Sequence, residues 1–230
     1  MIDIHTHILP NVDDGSPDLE TSIELIKNEI NQGVTDIFVT PHYYKYRGYL
    51  SSSEQNKKIF DMLVDRVNEL ELKINLYLGM EVYYTIDMLK LLENNTLSTM
   101  NHSSYVLIEF SLNKELESIP EAINNLTAKG YVPIIAHPER YPYLTKISEY
   151  EYIKRMGALI QVNASSINGY YGRKVKKFVL NLIKNNLVDF VASDIHSFRT
   201  SKLLDAYNLV KKQFSEETAK KLFFNKLFCE

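Results

Sequence analysis

Residues 1–15 read MIDIHTHILPNVDDG, and the fold turns on what this stretch is for. A short apolar run carrying Asp3 leads into His5 and His7, and Asp13 and Asp14 follow before any helical pattern begins. Alternate residues of an extended strand share a face. His5 and His7 therefore point together if the strand holds as far as His7. A single HxH is weak evidence, because histidines fall two apart by chance. Its meaning depends on the other strand ends of the chain.

Working outward, the same unit returns. Ser16 and Pro17 suit an N-cap and a first helical residue. Leu19, Ile23, Ile26 and Ile30 keep helical spacing, and Gly33 closes the segment. DIFVT then runs to Pro41-His42. A second helix follows, with Ser51 and Glu54 as a capping box and Ile59, Leu63, Val67 and Leu70 as its stripe. INLYLG runs into Glu81, YVLIEF carries Glu109, and YVPIIA runs into His137. ALIQV reaches Asn163, and LVDFVA reaches Asp194 and His196. Helical stretches fall near 115–129, 147–156, 170–185 and 199–212, with a short one around 87–94.

Apolar strands followed by helices predict a parallel sheet. In an open sheet few strand ends meet at the one crevice, whereas in a barrel every strand end faces a shared mouth. Six of the seven apolar runs finish on His, Glu or Asp. The expectation is a single α/β domain over residues 1–230, built as a seven-stranded, irregular TIM-like barrel.

Composition narrows the setting. At 230 residues, 45% hydrophobic and 24% charged, the chain has ordinary globular values. A net charge of -3 gives no reason to expect nucleic acid as a partner. There is no basic leader and no run of about 18 apolar residues, so the expectation is a soluble, cytoplasmic protein that is not membrane-inserted. Cys229 is the only cysteine, which leaves thiolate ligands and disulfides out of account.

The strand-end set is His5, His7, Asp14, His42, Glu81, Glu109, His137, Asp194 and His196, which holds five of the six histidines. Any one of them is more often a structural hydrogen-bonding residue than a ligand. Together, four carboxylates and five imidazoles at one mouth require cationic compensation. Nitrogen and oxygen ligands without sulfur suit Mn, Zn or Fe, and nine ligands imply at least two ions. Such clusters activate water and clamp phosphoryl oxygens. Arg140, in AHPERY, suits a phosphate fork; Arg47 and Arg199 are weaker candidates. Phosphomonoester hydrolysis is the reading that these residues favour.

DIHTHILPNVDDG, TPHYY, GMEVY, LIEF, IIAHPERY and VASDIH together resemble the polymerase-and-histidinol-phosphatase (PHP) superfamily. More narrowly, they look like the manganese-dependent protein-tyrosine phosphatases of the CpsB/YwqE/CapC type from capsule and exopolysaccharide operons. The likeness runs from Met1 past residue 200. It implies a distorted (β/α)7 barrel of PHP type with three Mn2+ ions, Fe or Zn being alternatives. It also implies one ion on His5, His7, Glu81 and Asp194, a second on Glu81, Glu109 and His137, and a third on Asp14, His42 and His196. Arg140 then contacts the substrate phosphate, and His42 or a bound water protonates the leaving phenol. The implied partner is the phosphotyrosyl tail of a bacterial tyrosine kinase, and a homo-oligomer is compatible with the family.

Two rivals follow from the same residues. One is a small-molecule phosphomonoesterase such as a histidinol-phosphatase; Tyr43, Tyr44, Tyr46 and Tyr49 as aromatic walls favour an aryl phosphate instead. The other is a non-catalytic module that binds phosphotyrosyl proteins. Within the opening run, Asp13 is expected in a turn or behind a ligand, and Asp3 to orient a ligand histidine.

Overall fold

The chain is described over residues 1–112 and 118–226, with only the backbone of Ser118, in a computed structural model. Its strand segments are β1 (Ile2–Thr6), β2 (Asp36–Val39), β3 (His42–Tyr43), β4 (Asn75–Leu78), β5 (Glu81–Tyr83), β6 (Tyr105–Glu109), β7 (Val132–Ala136), β8 (Leu159–Asn163) and β9 (Phe190–Ala192). The helices are α1 (Leu19–Asn31), α2 (Ser53–Glu69), α3 (Met88–Glu93), α4 (Ser118–Thr127), α5 (Ile147–Arg155), α6 (Ala164–Asn168), α7 (Arg173–Lys184), α8 (Leu203–Gln213) and α9 (Glu216–Phe223).

Among the described residues every pairing between these strands is parallel. One sheet runs β1-β2-β4 and the other β3-β5-β6-β7-β8-β9. The two sheets are halves of one ring, because β3 continues β2 past Thr40-Pro41 and β5 continues β4 past Gly79-Met80. Pro41 has no N–H to give the ladder, yet its carbonyl accepts from Glu81 at 3.1 Å. The ring closes where β9 meets β1: Asp194 N donates to His5 O and His7 N donates to Ile195 O, both at 3.0 Å. Seven strand positions result, as the apolar runs predict.

The core has two layers. Ile2, Ile4, Phe38, Leu107, Ile134 and Phe190 form a cluster of strand residues that fills the barrel floor. A larger cluster joins the outer strand faces to the helices, including Ile26 of α1, Leu63 of α2 and Leu182 of α7. Each such side chain contributes about 1.5–3 kcal/mol relative to exposure. The floor closes the barrel at one end and leaves the polar strand ends at the other.

Several expectations shift. The first N-cap is Asp18, whose carboxylate accepts from Thr21 N, while Ser16 Oγ donates to Asp18 O at 2.8 Å. The capping box is Ser52 with Gln55, one residue beyond Ser51 and Glu54. The helix expected near 170–185 starts only at Arg173, after Gly172 at φ 93°, and a separate helix not expected from the sequence, α6, precedes it and ends at Gly169, also at φ 93°. Residues 115–117 of the helix expected over 115–129 lie outside the described residues, as does Cys229.

Candidate metal centre

Local backbone geometry brings the strand ends together. The interruptions in β2/β3 and β4/β5 place His42 and Glu81 opposite one another in register. His137 and Asp194 sit just past β7 and β9 in left-handed conformations, at φ 33° and 52°. Non-glycine residues rarely occupy that region, and such strain collects at functional sites. Gly15 permits the DDG loop to fold back: a Cβ there would lie 2.0 Å from the His7 carbonyl oxygen.

All nine strand-end residues face this mouth, and their donor atoms interleave. His5 Nε2 and His7 Nε2 approach within 3.1 Å. Glu81 Oε2 lies 3.0 Å from His5 Nε2, 3.2 Å from His7 Nε2 and 3.0 Å from His42 Nδ1. Asp194 Oδ1 is 3.8 and 3.6 Å from the same two nitrogens of His5 and His7. His137 Nε2 stands 3.1 Å from Glu81 Oε1 and 3.9 Å from Glu109 Oε1. Asp14 Oδ1 lies 3.7 Å from His42 Nε2 and 3.6 Å from His196 Nε2. Three groups have ligand spacing: His5–His7–Glu81, His42–Glu81–Glu109 and His7–His42–His196. Among the described residues these groups overlap, His7, His42 and Glu81 each belonging to two of them.

The donor set fits divalent cations. Glu81 Oε2, Glu109 Oε2, Asp14 Oδ1, His42 Nδ1 and His137 Nδ1 are all buried and make no hydrogen bond, although buried polar atoms are nearly always paired. Burial pushes the Glu81 carboxyl up, but His5, His42 and His137 together hold it well below the carboxylate range. Burial lowers the His7 and His5 rings. Asp13 and Glu81 raise His7 well above its ordinary value, and Glu81 with Asp194 raises His5. Glu109 is pushed up to about 7 by burial and by the neighbouring Glu81. These carboxylates draw positive charge inward, and divalent ions meet that demand with the N/O ligands present.

Around the centre the arginines take carboxylate partners. Arg140 donates to Asp194 Oδ2 at 3.1 Å, with its guanidinium 5.3 Å from the Tyr171 ring centroid. Arg199 donates to the same oxygen at 2.8 Å, and Arg47 reaches Asp14 Oδ2 at 3.1 Å. All three line a hollow of about 200 Å³ at the mouth, together with Tyr44, His42 and Phe198. Tyr44 stacks on Tyr83 at 3.9 Å and Tyr49 stacks on His42 at 6.0 Å. Tyr43 is instead buried in the outer core, and Tyr46 is exposed.

The residues behind the ligands were only partly foreseen. Asp13 Oδ2 accepts from His7 Nδ1 at 2.9 Å and from His42 N at 2.8 Å, so it fixes two elements at once. Asp3 does not reach a histidine ring. The register slips between Asp3 and Thr6, and Asp3 Oδ1 accepts from Ser193 N at 3.0 Å and His5 N at 3.4 Å. The orienting group for His5 is Gln161: its Oε1 lies 3.0 Å from His5 Nδ1 and accepts from His137 N at 3.2 Å. Gln161 Nε2 donates to Asn163, whose Nδ2 donates to Asp194 Oδ2 at 2.8 Å. Buried Glu139, pushed up to about 7 by that burial, accepts from Ser166 Oγ and Asn163 N and so anchors the turn bearing Arg140.

Comparison with known proteins gives a consistent picture. The family profile described as "Capsular polysaccharide synthesis, CpsB/CapC" matches residues 1–227. CapC of Staphylococcus aureus is 38% identical over 199 residues, 86% of this chain and 77% of the relative. The tyrosine-protein phosphatase CpsB of Streptococcus agalactiae serotype V is 35% identical over 232 residues, 97% of this chain and 95% of its own. A crystal structure from work on YwqE of Bacillus subtilis and CpsB of Streptococcus pneumoniae, described as unique metal-dependent tyrosine phosphatases, superposes with a TM-score of 0.90. It is 32% identical and covers 95% of this chain and 90% of that one.

Proposed function

The chain belongs to the CpsB/CapC family, and on that premise we infer that it works as a metal-dependent protein-tyrosine phosphatase of the CpsB/YwqE type. The observation that carries this reading is the cluster of buried nitrogen and oxygen donors at ligand spacing at the mouth, with Arg140 beside it. We assign residues 1–230 to one metallophosphatase domain, and His5, His7, Glu81 and Asp194 to one ion. Glu81, Glu109 and His137 hold a second, and Asp14, His42 and His196 a third. Mn2+ is the proposed ion, with Fe or Zn as alternatives. Bound there, such ions lower the pKa of water and neutralise phosphoryl oxygens.

The chain's own residues do the rest. Glu139 and Tyr171 hold Arg140, a planar fork of N–H donors suited to phosphate oxygens. Gln161 and Asp13 fix the faces that His5 and His7 present. The stacked Tyr44–Tyr83 pair forms an apolar wall for an aromatic leaving group. A phenol, with a pKa near 10, leaves more readily than an alkyl alcohol. The proton returned to it is assigned to His42 or to a water bound at the centre.

The proposed substrate is the phosphotyrosyl tail of a bacterial tyrosine kinase in the cytoplasm, supported by the capsule-synthesis family and by the names of the relatives. Among the described residues no helix is long and apolar enough to cross a membrane. The test compares kcat/KM for a phosphotyrosyl peptide and for histidinol phosphate. Chelator should abolish activity, Mn2+ should restore it, and thiol alkylation should leave it intact. A preference for histidinol phosphate would overturn the substrate, and binding without turnover would favour the non-catalytic module.

A further inference from the structure

The mouth is small for a protein substrate, at about 200 Å³, and two larger grooves open from it, of about 710 and 720 Å³. The larger shares Arg140 and Leu112 with the mouth, so the two surfaces are continuous. Its lining includes Val175 and Phe178 of α7 and the buried Leu144, and Lys174 and Lys177 flank it. Three residues apart on one helix, the two lysines are neighbours on its surface. Neither has an ion-pair partner among the described residues, unlike Lys57, Lys58, Lys129 and Lys154. The other groove pairs its Lys202 with Asp205, 3.6 Å away and also in its lining, whereas the carboxylate that lines the α7 groove, Glu139, is buried and accepts from Ser166 and Asn163 rather than from the lysines. α7 packs directly on the turn that bears Arg140, which fixes the distance between the lysines and the phosphate position.

We propose that the groove along α7 docks the substrate polypeptide beside its phosphotyrosine, with an apolar side chain against Val175 and Phe178 and carboxylates at Lys174 and Lys177. The proposal rests on the phosphatase reading and adds to it a preference for acidic sequence next to the scissile phosphate. Charge complementarity with a phosphorylated, acidic segment selects this occupant, and the shared Arg140 supplies the continuity with the reacting group.

The test uses the Mn2+-loaded protein and the double variant Lys174→Glu/Lys177→Glu. Substrates are p-nitrophenyl phosphate and short phosphotyrosyl peptides carrying leucine and glutamates on either side of the phosphotyrosine, or lysines in place of the glutamates. The expected result is a roughly tenfold rise in KM for the acidic peptides, with kcat held and p-nitrophenyl phosphate turnover within about twofold. The lysine peptides should gain. Affinity for a fluorescent peptide bearing a non-hydrolysable phosphonate, read by anisotropy, should fall in parallel. Unchanged peptide kinetics, or an equal loss on every substrate, would overturn the proposal. So would a change in self-association alone, which would assign the groove to a second copy of the chain. If the wild-type protein leaves p-nitrophenyl phosphate intact, the phosphatase reading itself fails, which is a separate outcome.

Discussion

Gln161 makes three contacts that shape the centre. Its Oε1 meets the His5 ring and the His137 amide, and its Nε2 continues the chain of bonds through Asn163 to Asp194. Replacing Gln161 with leucine keeps the volume but leaves the His5 ring free to rotate and the buried His137 N–H unpaired. Metal affinity, followed by isothermal titration with Mn2+, should fall roughly 10–100-fold while the protein stays folded; an unchanged affinity would remove Gln161 from the site. The imidazoles and acids were legible in the sequence because those types are scarce at strand ends and recur there. Gln161 was not, since an amide in a strand has no spacing that separates an orienting role from ordinary pairing. Asp3 misled for a related reason. Alternation put it on the His5 face, and the register slip beside it undid that alternation.

At the scale of elements, the periodic stripes located seven of the nine helices among the described residues and missed the short α6 and α9; the other errors lie at element ends. Ser51, Ser52 and Ser53 are three candidate caps in a row, so the sequence offers no reason to prefer one. Geometry chooses Ser52, whose Oγ accepts from Gln55 N while Gln55 Oε1 accepts from Ser52 N at 2.8 Å. Ser52→Ala should cost about 1 kcal/mol, seen as a fall in Tm of roughly 2–4 °C for a chain of this size. Ser51→Ala should leave Tm nearly unchanged, and an equal loss from both would contradict the assignment. The breaks at Pro41 and Gly79 were invisible as breaks, because each apolar run simply continued toward a histidine or glutamate. Their effect is large, since they are what set His42 and Glu81 side by side.

For the molecule as a whole, the barrel followed from counting polar strand ends, and its weak point lies on the outside, behind β1. Glu29 of α1 is fully buried, and among the described residues neither carboxylate oxygen is in hydrogen-bond geometry, although the buried Ser201 hydroxyl lies beside it. Burial, reinforced by the neighbouring Asp3, raises its pKa well above the ordinary carboxyl value. A raised carboxyl pKa means that the folded state holds a proton the unfolded chain releases above about pH 4.5. Stability from this group is therefore complete at acid pH and declines as pH rises toward the folded-state pKa. Each pH unit between the two values costs about 1.4 kcal/mol, or roughly 3–6 °C in Tm for a domain of this length. Glu29→Gln abolishes that titration and keeps the shape. The wild-type Tm should fall progressively below that of the variant as pH rises above about 4.5, measured by scanning calorimetry in matched buffers. The mouth residues are common to both proteins, and Asp3, whose carboxyl interacts with Glu29, also responds to the substitution, so the difference reports the two acids together. Parallel Tm curves would mean that Glu29 ionises as readily in the fold as in water, and that the core behind β1 admits solvent.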